Sequence, residues 1–172
     1  MSPILALAPR VGALLLLLLA AGCGQAVDSV VVSDDVGVVA VPDKDAAMNK
    51  AIAEAKAHLA TFERELAAAA PGRVFTVKKR FATPDGGGEH IWITDVKAAK
   101  GGFEGIVDNE PRSVEGVGYG DRHFVARDDV TDWMITDAEG KRWGCYTTRV
   151  LLPTMPDELR RLVEPRLQPL PK

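Results

Sequence analysis

Residues 45–70, DAAMNKAIAEAKAHLATFERELAAAA, run into Pro71-Gly72 and then into Arg73-Val74-Phe75-Thr76-Val77-Lys78. The apolar period changes at that junction. Met48, Ile52, Ala55, Leu59, Phe62 and Leu66 recur at intervals of 4, 3, 4, 3 and 4 residues, so they fall on one stripe of a helix. Lys50, Glu54, Lys56, Glu63, Arg64 and Glu65 lie mostly off the stripe. Asp43 or Asp45 can cap the first turn, and Pro71-Gly72 stops the helix. An amphipathic helix of this kind needs an apolar surface to cover.

The downstream chain supplies one, because from Arg73 the period falls toward two. Val74 to Ala82 reads as a strand with Phe75, Val77 and Phe81 on one side and Lys78 and Arg80 on the other. Thr83-Pro84-Asp85-Gly86-Gly87-Gly88 turns the chain into a second strand, Glu89 to Val96. Lys100-Gly101-Gly102 leads into a third, Phe103 to Asp108. Asn109-Glu110-Pro111 breaks it, and a loop with Gly116, Gly118 and Gly120 leads to a fourth, Arg122 to Ala126. Asp128-Asp129-Val130-Thr131 reads as a helical turn. Trp133 to Thr136 and Arg142 to Thr147 form a hairpin over Asp137-Ala138-Glu139-Gly140. A short helix, Asp157 to Val163, and a proline-rich tail close the chain. The expected class is α+β: the amphipathic helix packs on a small, curved, mostly antiparallel sheet or partial barrel, with a short C-terminal helix.

Upstream of the helix the composition is of another kind. Arg10 precedes a run of leucines, Leu14 to Leu19, that ends in Ala20-Ala21-Gly22-Cys23. A membrane-spanning helix needs about 20 apolar residues, and Val11 to Ala21 is shorter. A positive residue, a short apolar core and small residues before a cut are the layout of a secretory signal. With the cysteine directly after Ala-Ala-Gly, residues 1–22 resemble a bacterial lipoprotein signal, although Ala20 stands where that signal usually has leucine. Cys23 is then the lipidated first residue of the mature chain. The two lipid attachments that the resemblance implies suffice for stable anchoring. Gly24, and not an aspartate, follows Cys23. The expected location is the cell envelope, at the periplasmic face of the outer membrane where the cell has one. Residues 23–42 form a tether whose valine runs, Val30 to Val32 and Val36 to Val41, could alternatively make an edge strand. Residues 43–155 form the domain, and 156–172 the short helix and tail.

Removal of residues 1–22 leaves 20 basic and 24 acidic residues in the mature chain. A mildly acidic, exported chain lacks the basic face that nucleic acid requires. Of the two cysteines, Cys23 is assigned to lipid, so Cys145 has no intramolecular disulfide partner, and burial accounts for it best.

The ordered motifs Phe75-Thr76-Val77-Lys78, Glu89-His90-Ile91-Trp92, Phe103 to Pro111, Gly120-Asp121, Asp132-Trp133-Met134 and Tyr146-Thr147-Thr148-Arg149-Val150 are similar to those of a bacterial family. That family is domain of unknown function 2314, also called YegJ-like, and the likeness covers roughly residues 45–155. It implies small exported proteins and brings no activity, substrate or cofactor. Cys145 stands where the family usually carries a small residue.

Four constellations invite chemistry. Glu89, His90, Asp121 and His123 are of the types that hold zinc, but adjacent strand residues point to opposite faces, and neither HExxH nor CxxC occurs, so no metal and no cofactor are expected. Cys145 with His90 or His123, and Asp132, would give a nucleophile, a base and an orienting acid for a hydrolase or thiol enzyme; this is the alternative reading. Gly116-Val117-Gly118-Tyr119-Gly120 is not a phosphate loop, since a strand and not a helix follows it. Trp92 and Trp133, with Asp132 and His90, are the candidate binding surface, against the plainer reading that the indoles fill a core poor in other aromatics. The functional expectation is a non-enzymatic envelope lipoprotein that binds an envelope protein, with an inhibitor or immunity-type protein as one subclass of that reading.

Overall fold

A computed structural model describes residues 45–68 and 70–170. The signal, Cys23 and the tether lie outside these residues. Six strands form one antiparallel sheet: β1 (Val74–Ala82), β2 (Gly88–Ala99), β3 (Gly102–Val107), β4 (Arg122–Ala126), β5 (Val130–Thr136) and β6 (Arg142–Gly144). Their order is β4-β3-β2-β1-β5-β6, an open sheet with β4 and β6 at its edges. Two helices, α1 (Ala46–Ala57) and α2 (Leu59–Ala68), precede it; α3 (Tyr146–Leu151) and α4 (Asp157–Val163) follow. The α+β class and the covering N-terminal helical segment are as the periodicity predicts.

Asp45 is the cap: its Oδ1 accepts from the Met48 amide at 2.8 Å. The expected single helix is broken at His58. The Trp133 indole Nε1 donates to Ala55 O at 3.0 Å, the carbonyl that an unbroken helix offers to the Leu59 amide. Side-chain insertion into the helical ladder is a recognised cause of a kink. His58 stacks on Tyr146, centroids 5.8 Å apart, which holds the break against α3. Beyond it, Phe62 is fully buried, edge-on to Phe75 and Phe103 at 5.7 and 5.6 Å. Phe75, Val77, Ile93, Val107, Val125, Trp133 and Ile135 complete this core, which lies between the helices and the first face of the sheet.

Strand β1 is central. Val77 faces Ile93 of β2 and Trp133 of β5, whereas Lys78 faces Trp92 and Asp132. Alternation therefore sends Lys78, Trp92 and Asp132 to the second face. That face is covered here as well, for Thr76, Lys78 and Trp92 are all buried. The β1–β5 register shifts at Lys78/Lys79, and β2 carries a second irregularity between Thr94 and Lys97, where Asp95 takes φ 50°.

Two local expectations are corrected. The helical turn is Arg127–Asp129, and Val130 and Thr131 already belong to β5. The last strand stops at Gly144, and Tyr146 and Thr147, expected in that strand, instead open the helix Tyr146–Leu151. Gly144 and Cys145 have φ of 84° and 57°; two consecutive left-handed residues cannot continue a strand. A Cβ at Gly144 would lie 2.3 Å from Trp133 O, so only glycine fits there.

Candidate functional site

The chemistry-bearing side chains of the second face meet around Asp132, which has no exposed surface. Its Oδ1 accepts from the amides of Trp133 (2.8 Å) and Tyr146 (3.0 Å). Its Oδ2 accepts from the Thr147 amide (2.8 Å) and hydroxyl (2.6 Å). A carboxylate offers about four lone-pair sites, and all four are taken. Lys78 Nζ donates to Thr147 Oγ1 at 2.9 Å and stands 4.1 Å from the centre of the Trp92 ring, a cation–π contact. Burial pushes the Asp132 carboxyl above its ordinary range, against the pull of the Lys78 ammonium and the donors from Thr147 and Trp133. Tyr146 is pushed up to about 12 by burial and by the Asp132 charge.

His90 joins this face through the bulge. Thr131 Oγ1 donates to Lys78 O at 3.2 Å and lies 3.1 Å from His90 Nδ1. With its hydroxyl proton directed at the carbonyl, Thr131 Oγ1 is placed to accept from His90 Nδ1. Glu89, on the opposite face, accepts from the Arg112 amide with both oxygens and from the Ser113 amide, all at 3.1 Å. Asn109 Oδ1 accepts from the Trp92 amide at 2.7 Å. These bonds strap the 108–121 loop to β2. Asp121, the third residue of the zinc-type constellation, accepts from the Gly118 amide at 2.8 Å. Among the described residues no three His, Cys, Asp or Glu side chains gather as metal ligands do.

His123 sits with Phe81 on the first face, ring centroids 4.8 Å apart, and its buried Nε2 has no hydrogen-bond partner among the described residues. Burial and the neighbouring Lys79 charge lower its pKa. His90 and His123 are thus on opposite faces. Cys145 is buried, with its amide donating to Trp133 O at 2.9 Å. Of the candidate binding residues, His90, Trp92 and Asp132 share the second face, while Trp133, 1% exposed, points into the core beneath α1. The sequence reading did not single out Lys78, Thr131 or Thr147. The available signal was the Lys78-Lys79 doublet, which interrupts alternation in a central strand.

Residues 45–164 match the family described as "Uncharacterized protein conserved in bacteria (DUF2314)". The chain belongs to the DUF2314 family. The match begins at the Asp45 cap and ends just after α4, so it takes in the whole sheet and the Lys78–Thr147–Asp132 cluster. The chain is 42% identical over 82 residues to the uncharacterized protein YegJ of Escherichia coli, covering 45% of this chain and 53% of that protein. It is 32% identical over 72 residues to a putative ankyrin repeat protein of Neisseria meningitidis serogroup B, covering 42% of this chain and 28% of that one. The chain thus spans about half of the first relative and less of the second. No solved structure matches it.

Proposed function

We propose that this DUF2314 member is a non-enzymatic binding domain, carried on an envelope lipoprotein anchored through Cys23, whose partner is another envelope protein. One observation carries the reading. Asp132, the acid of the Cys145–histidine alternative, spends its four acceptor sites on Trp133, Tyr146 and Thr147. It organises α3 and has no site left to orient an imidazole. The anchor rests on the 11–23 pattern and the partner class on exposed aromatic surface: Tyr119, on the glycine loop, is 62% exposed, and a tyrosine presented this way is a common binding anchor.

A photo-crosslinking residue at Tyr119, and a control at Leu162, tests the binding role in cells. The reading expects an envelope-protein adduct at Tyr119 that is absent at Leu162. Equal labelling at both positions overturns it. Rapid alkylation of Cys145 by iodoacetamide in the native protein would favour the thiol enzyme instead. Cys23→Ala should release the protein from membranes and abolish palmitate incorporation; retention on membranes removes the anchor from the proposal.

A further inference from the structure

The two edges of the sheet are finished differently. At β6, the C-terminal tail closes the edge: Leu167 bridges Arg142, the Gln168 amide donates to Arg142 O at 2.8 Å, and Arg149 donates to Gln168 O. At β4, the backbone of residues 122–126 has no partner other than β3 among the described residues. Phe124, 44% exposed, points from that strand onto the second face. An edge left unpaired among the described residues and bearing an exposed aromatic is a template for another strand.

We infer that the occupant is a second copy of this chain, its β4 paired antiparallel with the first about a two-fold axis at Phe124. The residues of β4 and β3 favour that register. On the second face, Arg122, Phe124 and Ala126 of β4 stand opposite Ile106, Glu104 and Gly102 of β3. A two-fold at Phe124 places ring against ring and sets each Arg122 beside the other copy's Ala126, behind which lies its Gly102. The small residues leave the arginine room to reach the second copy's Glu104. With strands about 4.8 Å apart and about 3.4 Å per residue, the two Cα atoms are about 12 Å apart, within the combined reach of both side chains. Centring the axis on Arg122 instead would oppose like charges, which is destabilising. The pairing joins two sheets into one of twelve strands and requires neither the lipid anchor nor a foreign partner. A five-residue edge is a small interface, so the dimer is weak and concentration-dependent.

The test uses the purified full chain in detergent. Sedimentation over a concentration series should show a monomer–dimer equilibrium. Arg122→Glu should weaken it about tenfold, and adding Glu104→Arg should restore it. Phe124→Cys should form a covalent dimer under mild oxidation faster than a Leu162→Cys control, with thermal melts checking that each variant is folded. A monomer at every concentration, or equal crosslinking at the two cysteines, overturns the inference. Dimerisation indifferent to Arg122→Glu overturns this register. A Phe124→Cys adduct only with a different protein overturns the second copy as occupant.

Discussion

His123 and Lys78 show how strand position governs an ionisable side chain. Both lie on strands, but Lys78 has an acceptor in Thr147 and an aromatic face in Trp92, whereas His123 has the Phe81 ring and the repelling Lys79 charge. His123 accordingly titrates below its ordinary value of 6.5. The unfolded chain takes up the proton first, so stability is complete above the ordinary value and is lost as pH falls through it toward the folded pKa. We predict that between about pH 7.5 and pH 5.5 the unfolding free energy of the native protein falls relative to that of His123→Phe. Parallel denaturation curves over that range would refute the assignment. The histidine itself was legible as a strand residue. Its face was not, because that depends on the register of β4 against β3, where His123 stands opposite Gly105.

At the scale of elements, α3 is set by a carboxylate from another strand. Its own sequence offers no capping side chain: Cys145 precedes it in a left-handed conformation and makes no side-chain cap bond. Asp132 supplies the acceptors for the first two helical amides from 14 and 15 residues upstream. A search for local caps could not find this helix, which is why Arg142 to Thr147 read as a strand. Asp132→Asn places an amide NH2 against the buried N–H and O–H donors of Trp133, Tyr146 and Thr147. Leaving a buried hydrogen-bonding group unsatisfied costs about 1 to 3 kcal/mol. Equilibrium urea unfolding should show a loss of that size, with the amides of α3 losing hydrogen-exchange protection first. A loss below about 1 kcal/mol would show that the carboxylate is not what holds α3. The break at His58 has the same origin, since the inserted indole comes from 78 residues away.

Across the described residues as a whole, the sheet is open and its edges are managed unequally. The tail that closes β6 contributes a bridge, two hydrogen bonds and the packing of Leu170 against the core. A chain ending at Arg166 should still unfold in one cooperative transition, with stability lower by about 2 to 3 kcal/mol. Hydrogen exchange should quicken in β6 while β1 keeps its protection. Unchanged exchange in β6 would show that the tail does not close the edge.

Local sequence was enough for a capped helical segment, a strand meander with glycine turns and a short last helix, but not for α3 or the break at His58. Those signals are written in neighbouring residues, where a period of 3.6 or of 2 and a turn residue are read within one window. Long-range packing alone fixes that Lys78 is buried, that Trp133 breaks the helix it packs on, and that Asp132 starts α3. Each of these follows from a contact between distant parts of the chain, such as Lys78 to Thr147 across 69 residues. Such contacts exist only once the sheet has chosen its strand order and register, which no single window of sequence contains.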